Sequence, residues 1–296
     1  MIKTTTLLAA VLCTAAVYGQ SIFVEEAPRA MSKGAQPSFL VDIPGSKSKT
    51  VEKDWTKYLE KGSKSKAENL NGEMTIKGIT VKNISTLPLA VYSTLLETNE
   101  GVRLTVWVAE QDSVFISEKL SNDKNLAAIK YVKDFANAEY REVVKDELQA
   151  EKNKLDKLQD ELKKLISVEE KAKGAIKENE RSIERNKNDI KINEADQKRK
   201  IEQVTAQKAV VETTKAGGGD AYKEAQKALD NLMGEKEKLE KENEKLNKQI
   251  DKWEKENREE DRAINQSKQD QGQKNEQIGK QKAVVEAVES KLAAIK

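Results

Sequence analysis

The spacing of apolar side chains in the last quarter of the chain constrains its fold more than any other feature. From Tyr222 to Ile295, a set of mainly apolar positions recurs alternately three and four residues apart, without a slip. A repeat with this 3.5-residue period is typical of a helix in a left-handed coiled coil. No proline follows Pro88 to interrupt it. The pattern predicts one helix over residues 221–295, with the repeating positions forming a seam along one side.

The preceding segment carries the same repeat and predicts a second long helix over residues 124–215. Its seam runs in regular steps from Leu155 to Gln197. A second consecutive step of four residues then leads to Ile201, Val204, Lys208 and Val211. Two such steps in succession resemble a stutter, where a coiled coil unwinds locally.

Three consecutive glycines, Gly217 to Gly219, predict a turn between the two helices at residues 216–220. Folding the chain back about Gly218 places two asparagines of one helix opposite two of the other. A buried Asn is satisfied by another Asn and is left unpaired in a slipped register, so such pairs specify alignment at some cost in stability. The residues predicted to set the register are Asn179, Asn193, Asn243 and Asn257, paired as 193 with 243 and 179 with 257.

The end of the hairpin near the turn is richer in apolar and small residues than the middle of the shaft. One interpretation is that a hairpin needs good packing where it closes. The other is that this end is a docking surface for a partner. The candidate docking residues are Val210, Val211, Tyr222, Leu229, Leu232 and Met233.

The lower shaft shows a mismatch between its two seams. In the register above, Leu155, Leu158, Leu162 and Leu165 face Gln281, Ile278, Lys274 and Gln271 respectively. Either the coil is locally loose, or this leucine stripe pairs with a second copy of the chain by a two-fold contact. The second interpretation predicts a homodimer or higher oligomer joined along the lower shaft.

Residues 20–123 have the composition of a small α+β domain with a mostly antiparallel sheet. A helix is predicted from a cap at Thr50 to Gly62, with Trp55 packed on the sheet. Thr98 to Gly101 form a hairpin turn, and Ser121 to Asp123 offer a cap for the first long helix. The first turns of that helix are predicted to pack on the domain through Leu126, Ile129, Val132 and Phe135. Strands are predicted at residues 21–29, 37–43, 74–76, 79–81, 89–92, 102–108 and 114–116.

Residues 1–19 have the pattern of a signal peptide, with Lys3 before an apolar stretch and small residues Val17 and Gly19 before a cleavage site. Cleavage would give a mature chain that begins at Gln20, in the bacterial periplasm or secreted. The alternatives are a membrane anchor, for which the stretch is short, and a lipoprotein attached at Cys13. No later stretch is apolar enough to span a membrane.

The composition excludes several chemistries. The chain has no histidine, and Cys13 is its single cysteine, so histidine catalysis, thiol catalysis and metal sites built from these residues are excluded from the mature chain. A net charge of +2 gives no drive toward nucleic acid. We assign no catalytic, cofactor or metal residue. Glu110 and Asp112, at the end of a predicted strand, are the carboxylates that come closest to a candidate pair.

In layout, a small exported β-containing body with a long helical hairpin resembles the tentacled periplasmic chaperones and the helical-hairpin adaptors of secretion systems. The resemblance involves no shared motif. Three functions remain, in order of preference. The first is a structural or interaction protein whose hairpin is a spacer or binding arm for protein partners of the cell envelope. The second is a periplasmic holdase chaperone, and the third is a hydrolase in the small domain.

Overall fold

The computed structural model describes residues 22–295, so the predicted signal peptide and Cys13 lie outside the described residues. The described residues divide into two compact units: one comprises residues 22–155 and 280–295, and the other is Asp156–Gly279. The strands are β1 (Val24–Met31), β2 (Gly34–Pro44), β3 (Glu68–Leu70), β4 (Glu73–Ile79), β5 (Leu89–Thr98), β6 (Gly101–Glu110) and β7 (Val114–Phe115). The helices are α1 (Ser48–Glu60), α2 (Asn122–Lys215) and α3 (Gly219–Ala294).

All strand pairs of the sheet are antiparallel, as predicted. The order is β1-β2-β6-β5-β4-β3, and β7 pairs with the end of β6. The sequence missed β3, a short exposed edge strand with no apolar alternation to reveal it. The segments predicted at 74–76 and 79–81 belong to one strand up to Ile79, with a register shift between Lys77 and Ile79.

The predicted turn between β5 and β6 is confirmed, since Thr98 pairs with Gly101. Glycine is required at this position because a Cβ on Gly101 would lie 2.2 Å from the backbone oxygen of Ile43. The same close approach lets the Gly45 N–H donate to the Glu100 carbonyl over 2.7 Å.

Helix α1 covers one face of the sheet through the apolar side that the sequence predicts. Val51, Trp55 and Leu59 are buried, and Trp55 Nε1 donates a hydrogen bond to Ser93 Oγ over 2.8 Å. The predicted cap at Thr50 is wrong, because the helix begins at Ser48 and Lys47 precedes it without a side-chain cap. Thr50 lies in the first turn instead, with its N–H bonded to the Lys47 carbonyl.

The first turns of α2 pack into the same core. Ser121 accepts the N–H of Asn125 at its carbonyl, in agreement with the predicted start. Val132 and Phe135 are buried as predicted, but Leu126 is exposed. The buried face of α2 is centred on Ala128 and Val132, and Leu126 points about 200° away from Ala128 at 100° per residue. Val288 near the end of α3 and Ile295 just after it join this core.

The other face of the sheet is partly covered by the end of the β1–β2 hairpin. A small second core there contains Ala90, Tyr92 and Trp107, with Met31 and Phe115 packed against it. Ser32, at the hairpin turn, donates its backbone N–H and its hydroxyl to the Glu73 carboxylate. The apolar cluster on the outer face of the sheet is therefore covered where the hairpin lies, whereas Leu96 on the same face is exposed.

The second unit consists of the middle of α2 and most of α3, packed antiparallel. Helix α2 ends at Lys215 and α3 begins at Gly219, within the predicted turn. Gly218 and Gly219 have φ angles of 59° and 79°, a left-handed conformation that glycine adopts without strain. The predicted helical hairpin is thus confirmed, with helix ends within two residues of the prediction.

Candidate interaction surfaces

Two asparagine pairs join the helices of the second unit at the predicted positions. Asn193 Nδ2 donates to Asn243 Oδ1, and Asn179 Nδ2 donates to Asn257 Oδ1, each over 2.9 Å. All four side chains are half-buried. Because each amide finds its partner only at this alignment, a slip would break both bonds. That these pairs set the register stays a prediction.

The seam of α2 remains regular beyond Gln197, so the predicted stutter is wrong. Lys200, rather than Ile201, lies in the seam, and Ile201 is 48% exposed. Gln207, rather than Lys208, continues it and donates to the Ala225 carbonyl over 2.9 Å. A helix must keep one side toward its partner, and here that geometry outweighs the burial of one isoleucine.

This regular seam creates a layer in which Lys200 of α2 and Lys236 of α3 lie at the same level. Each ammonium group is drawn outward to a carboxylate: Lys200 to Glu235 and Lys236 to Glu240, both over 2.6 Å. In this layer, therefore, only the alkyl parts of the two lysines lie in the interface, and no apolar side chain ends there.

The structure separates the predicted tip residues into packed and exposed ones. Val211 and Leu229 are buried with Ala225, and these three residues form the tip cluster. Tyr222 packs on the tip cluster, and Leu232 is half-buried in the seam. Val210 and Met233 are 45% and 49% exposed. Packing accounts for four of the six residues, and two remain open to a partner.

A groove on one side of the hairpin near the tip was missed by the sequence. It has a volume of about 590 Å³, and its apolar lining includes Ile201, Val204 and Met233. Lys208 and Glu240 lie on its polar rim. We call it the distal groove. The misplaced stutter assigned Ile201 to the seam and so concealed this surface.

The leucines of the lower shaft are half-buried rather than exposed. In the second unit this holds for Leu158, Leu162 and Leu165, and in the first unit for Leu155. The predicted homo-oligomer along this stripe stays a prediction.

The polar residues of α3 that face these leucines are hydrogen-bonded to carboxylates of α2. Lys274 Nζ bonds Glu161 over 2.7 Å, and Gln271 Nε2 bonds Glu169 over 2.7 Å. In the first unit, Gln281 Nε2 donates to Glu151 over 2.7 Å. The polar end of each of these α3 side chains thus lies at the edge of the seam. Its methylene groups lie against the leucine that faces it.

In the small domain, Asp112 forms an ion-pair cluster at the turn between β6 and β7. Its carboxylate accepts hydrogen bonds from Lys33 Nζ, from the Tyr92 hydroxyl and, over 3.0 Å, from Lys77 Nζ. The hydrogen bond from Lys33 is the main cause that holds the pKa of Asp112 well below its usual range. Lys33 lies in the β1–β2 turn, so the cluster fastens that turn over Tyr92.

Glu110 also forms an ion pair. Lys124 Nζ bonds it over 2.6 Å and lowers the pKa of its carboxyl, and Ser85 adds a second hydrogen bond. A carboxylate-pair hydrolase needs one carboxyl with a raised pKa to donate a proton. Both Glu110 and Asp112 are shifted the other way, so this arrangement supplies no general acid at neutral pH.

Glu139 on α2 has the opposite shift. Burial against α1 is the main cause that raises its pKa to about 7, and the charges of Asp54 and Glu142 act in the same direction. Lys57 opposes the shift without cancelling it. This carboxyl therefore titrates near neutrality in the folded protein.

A second groove, of about 370 Å³, lies at the end of α1 and was also missed by the sequence. Tyr58 and Tyr131 line it with ring centroids 4.8 Å apart, and Lys61 and Lys82 lie at its edge. The Tyr58 hydroxyl donates to the Tyr131 carbonyl over 3.2 Å. Each tyrosine occupies an apolar helix face in the sequence, but no pattern indicates that the two faces meet.

Among residues 22–295, no group of three or more acidic, histidine or cysteine side chains is arranged to hold a metal ion. Within the same range, no helix combines the length and apolar character needed to cross a membrane. Comparison of the chain with protein-family models, curated proteins and solved structures finds no match.

Proposed function

We propose that this chain is an exported, non-catalytic interaction protein whose helical hairpin serves as a spacer or binding arm for a protein partner in the cell envelope. The observation that carries the proposal is Val210, which is 45% exposed beside the packed tip cluster. A helical hairpin that carries an open apolar residue near its turn is suited to presenting a contact surface to a partner.

The surface of the shaft favours this function over the holdase chaperone. A holdase needs a broad apolar wall for unfolded clients. Within the described part of the hairpin, the exposed large apolar side chains form no such wall, and only Ile201 and Met233 share a groove: they are Ile166, Val168, Ile192, Ile201, Val210 and Met233. Ion pairs between neighbouring turns cover much of the remaining surface. The hydrolase is disfavoured by the lowered pKa values of Glu110 and Asp112.

The test uses a photo-crosslinking amino acid at Val210 in the full chain, expressed in its native cells. Val168 is the matched control, since it has the same residue type, occupies the equivalent place in the repeat and is 50% exposed. We expect the probe at Val210, and not the one at Val168, to form an adduct with one envelope protein other than this chain. In a separate experiment, the substitution V210E should abolish the complex when the partner is captured with the variant and the variant with the partner. Equal adducts from both positions, or none from Val210, would contradict the proposal.

A further inference from the structure

The distal groove presents an apolar pair that the hairpin itself does not use. Ile201 and Met233 are 48% and 49% exposed, while Lys200, beside Ile201 in the chain, occupies the seam. Within the fold, exchanging the positions of lysine and isoleucine would bury more apolar surface. The exposure of two large apolar residues on the same side of one groove therefore indicates a contact outside this chain.

The charges around this pair have opposite signs on the two helices. Positions on the distal-groove side of each helix follow from the repeat, because they lie one residue after a seam position. On α2 the basic residues on this side are Lys191, Lys198 and Lys208. On α3 the acidic residues on this side are Asp230, Glu237, Glu240 and Glu244. The α2 strip, which also contains Glu194, is thus basic on balance, and the α3 strip is acidic, with Ile201 in the first and Met233 in the second.

Because Asn193 and Asn243 are hydrogen-bonded to each other, they lie at the same height along the hairpin and serve as the reference for the heights of other residues. Counted from this pair, Lys198 and Glu237 lie at one level to within about one residue, as do Lys191 and Glu244. Ile201 and Met233 agree to within about two residues, and so do Lys208 and Asp230. Every basic residue of the α2 strip therefore has an acidic residue at its own level in the α3 strip.

In a dimer with its two-fold axis parallel to the hairpin, these basic and acidic residues of opposite copies would face each other. Such an axis would set the α2 strip of one copy against the α3 strip of the other, at the same level, twice per dimer. Ile201 would then meet Met233 of the second copy, flanked by Lys198–Glu237 and Lys208–Asp230 pairs. One kind of like-charged contact, Glu194 with Glu240, would also arise, again twice per dimer. An antiparallel two-fold arrangement is worse, because the acidic α3 strips would face each other.

We infer that the distal groove is a self-association surface, on which a second copy of this chain docks with its hairpin parallel to the first. The contact lies on the side of the seam opposite Val210, so the proposed partner surface stays open. It differs from the predicted lower-shaft contact in both position and residues, and it does not depend on the proposed function.

Sedimentation equilibrium of the full mature chain tests this assignment. We expect a dimer at tens of micromolar for the wild type and a monomer for the double variant Ile201→Glu, Met233→Glu. Ile192→Glu is the matched control, since Ile192 is 60% exposed on the same helix but faces away from the groove. It should remain dimeric. Circular dichroism confirms that each variant keeps its helices.

A charge exchange distinguishes the parallel arrangement from any other. Lys198→Glu should raise the dimer dissociation constant on the order of tenfold, because two like-charged contacts replace two ion pairs. Adding Glu237→Lys should restore most of the loss. A wild-type monomer would overturn the inference. So would a dimer that ignores the groove substitutions but dissociates with Leu158→Glu, Leu165→Glu, which would place the contact on the lower shaft.

Discussion

Asn193 on α2 and Asn243 on α3 are joined by a 2.9 Å hydrogen bond between side chains 50 residues apart in the chain. The bond lies near the middle of a seam that alternates aliphatic layers with layers containing polar residues. It is the point from which the alignment of the whole hairpin can be counted, because each residue toward the tip on one helix is matched by one on the other.

The first prediction concerns this pair. Asn193→Leu leaves Asn243 without its partner, whereas the double change to leucine restores a matched layer. We expect thermal or denaturant melting of the two single variants and the double variant to show coupling of about 0.5–3 kcal/mol. The control combines Asn193→Leu with Asn257→Leu, which lie in different layers and should be additive. Additivity in the 193–243 cycle as well would deny the pair any part in specifying the register.

The second prediction concerns the Lys200–Lys236 layer. Replacing both lysines with leucine should stabilise the hairpin by about 1 kcal/mol per substitution, because apolar side chains would then end inside the seam. Lys171→Leu, at an exposed position of α2 outside both the seam and the distal groove, is the control and should have little effect. Denaturant melting monitored by circular dichroism measures both. If the control stabilises as much as the seam variant, Lys200 does not lie in the interface.

The third prediction concerns Asp112. Its pKa is lowered in the folded state, so its ionised form stabilises the protein above the pKa of the unfolded chain, and this contribution is lost as pH falls through the folded pKa. We expect Asp112→Asn to lower the melting temperature at pH 7 and to have a smaller effect as the pH approaches 2. Asparagine tolerates the positive φ of 67° at this position, so the change isolates the charge.

Lys33→Met should behave as Asp112→Asn does, since it removes the same ion pair from the other side. Near-ultraviolet circular dichroism reports on Trp107 and Tyr92 beneath the β1–β2 turn. An Asp112→Asn variant with unchanged melting at pH 7 would mean that the turn is held by the apolar contacts alone.

The fourth prediction has the opposite sign. The pKa of Glu139 is raised to about 7 in the folded state, so the folded form binds its proton more tightly than the unfolded chain does. Its ionisation therefore costs stability progressively as pH rises from about 4.5 to about 7. Glu139→Gln should raise the melting temperature at pH 8 and leave it unchanged at pH 4.

Glu118→Gln, an exposed carboxyl in the same unit, is the control and should shift neither value. If Glu139→Gln has the same effect at pH 4 as at pH 8, its influence comes from packing rather than from charge.

The fifth prediction concerns export. Cleavage after Gly19 should yield a mature chain that begins at Gln20, because the small residues at 17 and 19 follow the apolar stretch as a signal peptidase requires. Intact-mass measurement of protein from the envelope fraction or the medium checks this. Retention of Met1 to Gly19 in the mature form would be incompatible with it and would favour a membrane anchor.

Much of the fold could be predicted because its information is local. The 3–4 repeat alone identified both long helices, and Gly217 to Gly219 located the turn and with it the asparagine pairs. The strands with β-branched alternation were found, and the exposed strand β3 was not. Of the exposed apolar residues near the tip, the sequence identified Val210 and Met233 as candidates. It placed Ile201 in the seam because the prediction gave more weight to apolar character than to the regular spacing, which points to Lys200.

The sequence by itself determined the two helices, their register and the chemistries open to the chain, because period and turn position are properties of neighbouring residues. Only the tertiary structure decided that Lys200 enters the seam in place of Ile201, that Lys33 reaches Asp112, and that Glu139 is half-buried near Asp54. The last two contacts join residues far apart in the chain, and the first depends on a partner helix. The placement of each residue depends on the packing of a whole core or seam. A single side chain therefore takes a less favourable position where the packing of the rest of the structure requires it.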